Sequence, residues 1–450
     1  MSPKLVELEI DDLAFDGKSV GRLDGKVVFC KGGLPGERVL AEITRSKPRY
    51  NQAVVREILR PSELRIPARC SHVNICGGCT WQDLAYEQQL IFKKDQVRQC
   101  LERIGKLEDV TVHDVVGSPD QFTYRNKMEF SFNAAEDSGF TLGLHERGRW
   151  DRVFDLEHCY LASDVVNDIT HWLRRYVAEK GLSVYNVGAH TGYMRFVVFR
   201  EGKNTGQVLV NVVTNYGEFP EPDALVGGLT EAFPQIVTIV HNQNGQKSNI
   251  ATGEIERVLY GSGYVEERLE EFTFRIRANS FFQTNSRQAE QLYRIGFDML
   301  ELRGDEHVLD LYCGTGSIGI LASARCGRVT GVELVPDAVA AARENAAINN
   351  ITNAVFYEGD VKDLLNRLSG DDTESEVVIV DPPRAGLHPK ALKRLLGLAP
   401  PRLLYISCNP ATFARDAATL RQHGYQLPEV RPVDMFPHTM HIELVSMLYR

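Results

Sequence analysis

The sequence predicts a multidomain protein: an N-terminal OB-like β-barrel, a central α+β domain and a C-terminal doubly wound α/β domain. Three observations predict it. Residues 1–59 contain short runs in which apolar and polar residues alternate between glycines and prolines. A cluster of cysteines follows that segment. From residue 266 to 450, strand-length apolar runs alternate with helical patterns, as in an open parallel sheet covered by helices. We therefore predict domains at 1–59, 60–265 and 266–450.

The composition is that of a globular protein, with 25% charged and 43% hydrophobic residues among 450. A net charge of -9 argues against a protein that coats nucleic acid but permits a local basic face. We find no apolar signal segment and no apolar run long enough to cross a bilayer. The sequence therefore predicts a cytoplasmic protein whose nine cysteines are mostly reduced, metal-bound or catalytic.

The barrel is predicted from strand patterns at 5–10, 26–30, 37–43 and 52–58. Four basic residues cluster near its end, namely Lys47, Arg49, Arg56 and Arg60. Such a cluster more often covers a solvated surface than a binding site.

The cysteine cluster has the spacing C-x5-C-x2-C at Cys70, Cys76 and Cys79. Three thiols in ten residues indicate a metal centre, and Cys159 is the best candidate for a fourth ligand. Tetrahedral zinc and an iron–sulfur cluster both fit, and the spacing alone does not decide between them.

The central domain has helical patterns at 81–104 and 163–180 and strand patterns at 127–133, 195–200, 208–214 and 237–242. Basic and aromatic residues are interleaved at 124–127. They could hold phosphate and stack on a base, although the pattern alone slightly favours an edge strand with a polar face.

The C-terminal domain has strand patterns at 307–311, 328–333, 354–357, 377–380 and 403–406, and a terminal strand pair at 426–432 and 442–449. Helical patterns lie at 316–325, 336–349, 361–368, 389–398 and 410–423. The first strand leads into Gly314, Gly316 and Gly319, which match the dinucleotide fingerprint, and Glu333 ends the second strand. These features fit NAD and S-adenosylmethionine equally.

Two further loops follow strands of this sheet. Asp381-Pro382-Pro383 resembles the acid–proline–proline loop of methyltransferases that act on nucleobases, and Gly359-Asp360 suits a contact with an adenine edge. Asn409 suits an N-cap and Pro410 the first helical position, so Cys408 is predicted at a helix N-terminus. The helix dipole would lower the pKa of that thiol, although a buried structural cysteine fits this loop alone equally well.

With Asp381–Arg384, Ser407–Pro410 and Pro437–Glu443 in this order, nearly the whole chain resembles the RNA uridine C5-methyltransferases. Residues 34–39 resemble part of the TRAM domain, an RNA-binding barrel. The barrel and the cysteines resemble the branch that makes 5-methyluridine in 23S rRNA more than the classical tRNA T-loop enzyme. The resemblance implies an RNA substrate, S-adenosylmethionine, and a 4Fe–4S cluster held by Cys70, Cys76, Cys79 and Cys159.

The resemblance also implies residue roles. Cys408 would add to C6 of uracil, Glu443 would remove the C5 proton, and Asp381 would contact substrate or cofactor and order its loop. Phe281 or Phe282 could stack on uracil or pack in the core. The implied cofactor contacts are Gln283, Tyr312, Gly314, Ser317, Glu333, Asp360 and Asp381. Tyr312 stands where the family often has Phe, and Ser317 stands where Asn is common.

Three alternatives stay open from the sequence. The same chemistry could act on the tRNA T-loop. The glycine fingerprint also suits an NAD-dependent oxidoreductase, and the barrel and cysteines suit a non-catalytic RNA-binding protein. We expect a monomer, because each copy carries a complete site.

Overall fold

The computed structural model describes residues 4–14, 17–135, 139–247, 249–361 and 376–450. Its strands form a closed barrel, a seven-stranded sheet, a two-stranded hairpin and an eight-stranded sheet. Of the helix predicted at 361–368, residues 362–368 lie outside the described residues. Across the described ranges, no helix has the length and apolar character needed to span a membrane.

The N-terminal barrel closes in the strand order β1-β2-β3-β5-β4. Its apolar side chains alternate along each strand and fill the interior, for example Ile10, Val28 and Val39. The predicted barrel is therefore confirmed, although the sequence analysis missed its short second strand. The strands are β1 (Lys4–Leu13), β2 (Ser19–Leu23), β3 (Lys26–Lys31), β4 (Arg38–Ser46) and β5 (Tyr50–Arg60).

A helix and a two-residue strand that follow the barrel pack against the C-terminal sheet. Helix α1 (Tyr86–Cys100) continues into a π-helical turn at Leu101–Gly105 and buries Val97 and Leu101 in one apolar layer of that sheet. Strand β6 (Thr111–Val112) pairs in parallel with the edge of the same sheet.

The seven-stranded sheet has the order β13-β12-β11-β10-β7-β8-β9. Two helices, α2 (Asp164–Glu179) and α3 (Pro222–Ala232), share an apolar layer with the sheet. The strand that starts at Lys127 lies inside this sheet, so the edge-strand interpretation of 124–127 is wrong. The strands are β7 (Lys127–Ala135), β8 (Gly139–His145), β9 (Val153–Asp155), β10 (Met194–Glu201), β11 (Val208–Thr214), β12 (Ile236–Gln243) and β13 (Ile255–Gly261).

A hairpin and a helix precede the parallel strands β16 to β20 of the eight-stranded sheet. The hairpin pairs β14 (Tyr264–Leu269) with β15 (Phe272–Arg277). Helix α4 (Ser286–Leu300) follows. The sequence analysis missed this helix, although its buried residues recur at helical spacing from Ala289 to Leu300.

The eight-stranded sheet has the order β18-β17-β16-β19-β20-β22-β21-β6, and its strands β16 to β20 run parallel. Apolar layers cover both faces, so the predicted doubly wound domain and its antiparallel terminal strand pair are confirmed. The strands are β16 (His307–Leu311), β17 (Arg328–Glu333), β18 (Ala354–Glu358), β19 (Val377–Val380), β20 (Arg402–Ser407), β21 (Glu429–Val433) and β22 (Glu443–Tyr449). The helices are α5 (Ser317–Ser323), α6 (Pro336–Ile348), α7 (Pro389–Leu398) and α8 (Pro410–Gln422).

Candidate active site

One cavity of about 1470 Å³ opens at the carboxyl ends of the parallel strands. Loops from several strands meet there, which is where an open α/β sheet binds ligands. The cavity wall contains every residue that the sequence analysis assigned to cofactor binding or catalysis: Gln283, Tyr312, Gly314, Ser317, Glu333, Asp360, Asp381, Cys408 and Glu443.

The glycine loop after β16 turns back sharply onto β17. Tyr312 has a φ of 66°, in the left-handed region, and its N–H donates to the Val332 carbonyl at 2.9 Å. A side chain on Gly314 would meet nothing within 4 Å, so the loop is open on that side. A side chain on Gly316 would come within 3.0 Å of Ala342. Gly316 is therefore needed for close packing, whereas Gly314 leaves space free beside the loop.

Glu333 is fixed at the end of β17 by three backbone N–H groups. Gly314 donates to Oε2 at 3.1 Å, and Leu334 and Val335 donate to Oε1 at 2.8 and 2.9 Å. These bonds orient the carboxyl group of Glu333 beside the glycine loop. A carboxylate in this place can accept hydrogen bonds from ribose hydroxyls.

Cys408 lies at the start of α8, as predicted. The side chain of Asn409 caps the helix by accepting from the Ala411 N–H at 3.0 Å, and Pro410 is the first helical residue. Asn409 also donates to the Arg384 carbonyl at 3.0 Å. This bond ties the loop after β20 to the loop after β19 and so holds Cys408 near Asp381.

The predicted low pKa of this thiol is wrong for the ligand-free protein. Burial, followed by Glu443 and Asp381, raises the pKa of Cys408 to about 12, and Arg384 offsets only part of the effect. The helix N-terminus is present, but removal from water and two acidic neighbours outweigh it. Cys408 is therefore a neutral thiol until a charge or a proton acceptor in the cavity changes this balance.

Two carboxyl groups, Glu443 and Asp381, line the cavity, and a third, Asp310, is fully buried and lies 3.0 Å from the position that a Cβ on Gly319 would occupy. Glu443 is 3% exposed, and burial together with Asp381 raises its pKa well above the usual range. Burial raises the pKa of Asp381 to about 6. Asp310, at the end of β16, has a pKa raised to about 7 by burial first and then by Asp381. Burial and mutual proximity thus raise the pKa values of these carboxyl groups toward or above neutral pH, so the two that line the cavity can exchange protons with a substrate.

Tyr293 on α4 was missed by the sequence analysis. It is 3% exposed and lines the cavity, and its pKa is raised by burial and by Asp381, Asp310 and Glu443. Its hydroxyl is hydrogen-bonded to the side chain of Gln283. The periodic apolar pattern of α4 could have located the helix, but not the acidic groups that Tyr293 contacts.

The raised pKa of Asp310 predicts a loss of stability as pH rises. The folded state favours the neutral acid, so its contribution to stability is complete below about pH 4 and is lost as pH rises through about 7. Asp310→Asn is therefore expected to stabilise the ligand-free protein at about pH 8, by roughly 2–4 kcal/mol, and to have little effect near pH 4. Urea unfolding of parent and variant at both pH values measures the difference.

The matched control for this prediction is Asp298→Asn, which removes one carboxyl group from the exposed face of α4. A gain for Asp310→Asn at about pH 8 no larger than the gain for this control would contradict the prediction.

The loop that leads to Glu443 is held from outside its own domain. The N–H groups of Thr80 and Trp81 donate to the His438 carbonyl at 2.8 and 3.0 Å. The buried side chain of Gln89 on α1 accepts from the His438 N–H at 2.9 Å, and Tyr124 donates to the Pro437 carbonyl at 3.1 Å. These bonds hold His438 in the left-handed region, with a φ of 66°. The loop that leads to Glu443 is thus positioned by α1 and by the segment that follows Cys79.

The two candidate aromatic residues have different environments. Phe282 is 4% exposed and packs in the core, whereas Phe281 is 69% exposed beside the cavity. The segment 124–127 reaches the same place, because Asn126 donates to the Gln283 carbonyl at 2.7 Å and to Ser286 Oγ at 2.8 Å. Phe281 is therefore the ring that is free to stack on a ligand.

The four candidate metal ligands are brought together. Burial raises the pKa values of Cys70, Cys79 and Cys159, and neighbouring thiols add to the effect: Cys76 acts on all three, Cys70 acts on Cys79 and Cys159, and Cys159 acts on Cys79. The sulfur of Cys76 accepts from Gly78 N–H at 3.3 Å. Backbone N–H groups also reach Cys70 and Cys159, and Gln82 donates to Cys79 at 3.6 Å. In the part of the chain that the structure describes, no three such side chains are spaced to hold a single metal ion.

Comparisons with known proteins match most of the chain. Residues 230–450 match the tRNA (uracil-5-)-methyltransferase family, and residues 4–55 match the TRAM domain. An uncharacterised RNA methyltransferase of Chlorobaculum tepidum is 40% identical and covers 99% of this chain and 96% of its own. Another from Porphyromonas gingivalis is 39% identical and covers 98% and 99%.

A solved structure is similar over nearly the whole chain. It is the tRNA (uracil-54, C5)-methyltransferase of Pyrococcus abyssi in complex with S-adenosyl-L-homocysteine. The TM-score is 0.79 at 35% sequence identity, with 98% of this chain and 100% of that chain covered. The likeness therefore extends over the barrel, the central domain and the sheet with its cavity.

Proposed function

Because this chain belongs to the RNA (uracil-5-)-methyltransferase family and carries a TRAM domain, we propose that it methylates C5 of a uridine in RNA through a covalent bond to Cys408. Family membership makes it an S-adenosylmethionine-dependent RNA methyltransferase and decides against the NAD-dependent oxidoreductase. One observation carries the covalent proposal: a thiol, Cys408, and two carboxyl groups, Asp381 and Glu443, share a cavity with the glycine loop.

The cofactor end of the cavity fits an adenosine-containing ligand. Glu333 offers a fixed carboxylate beside the open side of Gly314, and Asp360 lines the same wall. S-adenosylmethionine, when bound, supplies the methyl group, and its positive charge would favour the ionised forms of Asp381 and Cys408. Gln283, Tyr312 and Ser317 are the further residues that we propose to hold it.

Uracil C5 is too weak a nucleophile to accept a methyl group unaided. The sulfur of Cys408 bonds to C6 of uracil as its proton passes to a neighbouring carboxylate, and electrons move toward C5 and O4. After C5 has been methylated, Glu443, whose ionised form the positive charge of the bound methyl donor would favour, accepts the C5 proton. The electrons of that C–H bond restore the C5–C6 double bond and break the bond between sulfur and C6, which returns Cys408.

The target base must leave its stack to reach Cys408, because that sulfur lies in the wall of a cavity. Phe281, exposed beside the cavity, supports a stacking contact with the flipped base or its neighbour. Arg384 lies in the cavity wall and Arg125 near it, since both act on the pKa of His441, so they are the cations that we propose to face the phosphates.

For the RNA itself, 23S rRNA is the substrate proposed from the sequence, because a barrel and a cysteine cluster precede the catalytic domain. A second candidate, uridine 54 of the tRNA T-loop, is favoured by a specific observation. The Pyrococcus abyssi tRNA enzyme is matched over 100% of its chain, so the same overall architecture also serves a tRNA substrate. We propose that the protein acts as a monomer on either RNA.

Nucleoside mass spectrometry tests both substrates. Ribosomal RNA and tRNA are separated from cells with and without the gene, and 5-methyluridine is measured in each. Loss from rRNA supports the first substrate and loss from tRNA the second. Full retention of 5-methyluridine in both RNAs, in cells that lack any related enzyme, contradicts the proposed function.

We further propose that Cys70, Cys76, Cys79 and Cys159 hold a 4Fe–4S cluster. The support is that the four thiols act on one another and that each sulfur accepts at least one N–H group, as the ligands of such clusters do. Arg147 closes the cysteine loop by donating to the Cys79 carbonyl at 2.6 Å.

Protein purified without oxygen is expected to be brown, to absorb near roughly 400 nm and to contain about four iron atoms per chain. Cys79→Ser should remove most of the colour, because it removes one ligand, whereas Cys30→Ser in the barrel interior is the matched control that keeps it. Colourless parent protein with one zinc per chain would replace the cluster by zinc.

A further inference from the structure

The hairpin that joins β8 to β9, residues 145–152, carries an exposed aromatic side chain at its tip. Trp150 is 67% exposed, whereas Trp81 is 1% exposed. Tryptophan offers the largest flat apolar surface among the side chains and is highly buried on average. A tryptophan on this turn exposes that flat surface to other molecules, and tryptophan is a residue type enriched at interfaces.

Basic residues flank this ring along the hairpin. The hairpin contains Arg147, Arg149 and Arg152 against two acidic residues. Lys31 of the barrel joins them, because its Nζ lies 3.7 Å from the position that a Cβ on Gly148 would occupy. Arg149 is fixed by a two-bond contact with Asp151, at 2.9 and 2.7 Å. The hairpin thus combines a free aromatic face with nearby cations.

The hairpin is held firmly against the cysteine loop. The Arg147 N–H donates to the Ile75 carbonyl at 2.7 Å, and Gly77 N–H donates to the His145 carbonyl at 3.3 Å. The Arg147 guanidinium donates to the Cys79 carbonyl. Thr80, the residue after Cys79, donates its N–H to the His438 carbonyl in the loop that leads to Glu443. The hairpin therefore lies between the barrel and the loop that positions Glu443.

We propose that hairpin 145–152 is a docking element for single-stranded RNA beside the target uridine. Trp150 stacks on an unpaired base, and Arg149, Arg152 and Lys31 contact the adjoining phosphates. Interleaved arginine and aromatic side chains complement unpaired RNA, which presents flat bases on a charged backbone. The inference rests on the proposed function only in taking RNA as the partner.

Tryptophan fluorescence tests the proposal directly, because stacking of a base on Trp150 quenches its emission. The probe is a single-stranded RNA oligonucleotide of mixed sequence, titrated into the full chain. We expect the parent emission to fall on binding. Trp150→Ala should weaken binding by about 5- to 100-fold and lose most of the quenching. Trp150→Phe should retain binding within about threefold, because phenylalanine also stacks.

Trp172→Phe is the matched control, since Trp172 stacks on Tyr176 at 5.1 Å within the protein. It should retain both affinity and quenching. If the Trp150→Ala variant binds RNA as tightly as the parent, the proposal is overturned. If a protein then binds the parent but not this variant, the surface is assigned to a protein partner. Methylation that persists in such a variant leaves the proposed function standing. Hairpin-dependent RNA binding by a parent protein that never methylates uridine overturns the proposed function instead.

Discussion

The Cys408→Ala protein is expected to form no covalent complex with RNA that carries 5-fluorouridine, and to methylate ordinary RNA slower by on the order of 10⁴-fold or more. The fluorine atom at C5 cannot leave as a proton does, so the parent protein should remain bonded through sulfur to C6. Denaturing gel electrophoresis of protein mixed with labelled RNA and S-adenosylmethionine detects that bond as a shifted band.

The variant is expected to fold, because it removes one sulfur atom from a side chain beside a large cavity. Cys326→Ala is the matched control. Cys326 is another buried cysteine of the same domain, but its sulfur contacts the Arg328 carbonyl and does not line the cavity. Equal trapping of 5-fluorouridine RNA by parent and Cys408→Ala protein would contradict the covalent mechanism.

The position of Cys408 could be predicted from sequence because the signals are local. An apolar strand, a capping asparagine and a proline lie next to one another, and the structure has them as β20, the N-cap and the start of α8. The same holds for Asp381 after β19 and Glu333 after β17. In a parallel sheet, residues that end neighbouring strands meet at one edge, so local patterns also predicted the cavity.

The electrostatics of the site could not be predicted in this way. The helix N-terminus suggested a lowered thiol pKa, whereas Glu443 and Asp381, both distant in sequence, help to raise it. The contacts that hold the loop leading to Glu443 could not be predicted for the same reason. Gln89 and His438 are 349 residues apart, yet they share two hydrogen bonds. Nothing in a local pattern indicates a contact between a helix near the start of the chain and a loop near its end.

The identity of the cofactor could not be predicted from the glycine motif alone. Gly314, Gly316 and Glu333 serve any ligand with an adenosine group, so the fingerprint alone left NAD open. The distinction came from other loops, since Asp381-Pro382-Pro383 resembles the loop of methyltransferases that act on nucleobases, and the family match then decided against NAD. Cofactor specificity depends on several loops that meet at the cavity, and the glycine fingerprint covers only one of these loops.

Glu443→Gln is expected to accumulate a covalent complex with ordinary uridine RNA. Cys408 and the cofactor site are intact in this variant, so sulfur still adds to C6 and C5 is still methylated. Glutamine cannot accept the C5 proton at neutral pH, so the bond between sulfur and C6 persists. The complex should carry the methyl group: with a radiolabelled methyl donor, label should appear in the shifted RNA–protein band, and release of methylated RNA should slow by about 10²- to 10⁴-fold.

The substitution is well suited to the site, because burial already favours an uncharged side chain at Glu443, so loss of the fold is not expected to account for the result. Glu429→Gln on the neighbouring strand β21 is the matched control. Glu429 pairs with His113 at 2.6 Å and does not line the cavity, so its variant should release RNA like the parent. A Glu443→Gln protein that releases methylated RNA at the parent rate would assign proton removal to another group, and Asp381, the carboxyl group that acts on Glu443, would be the next residue to replace.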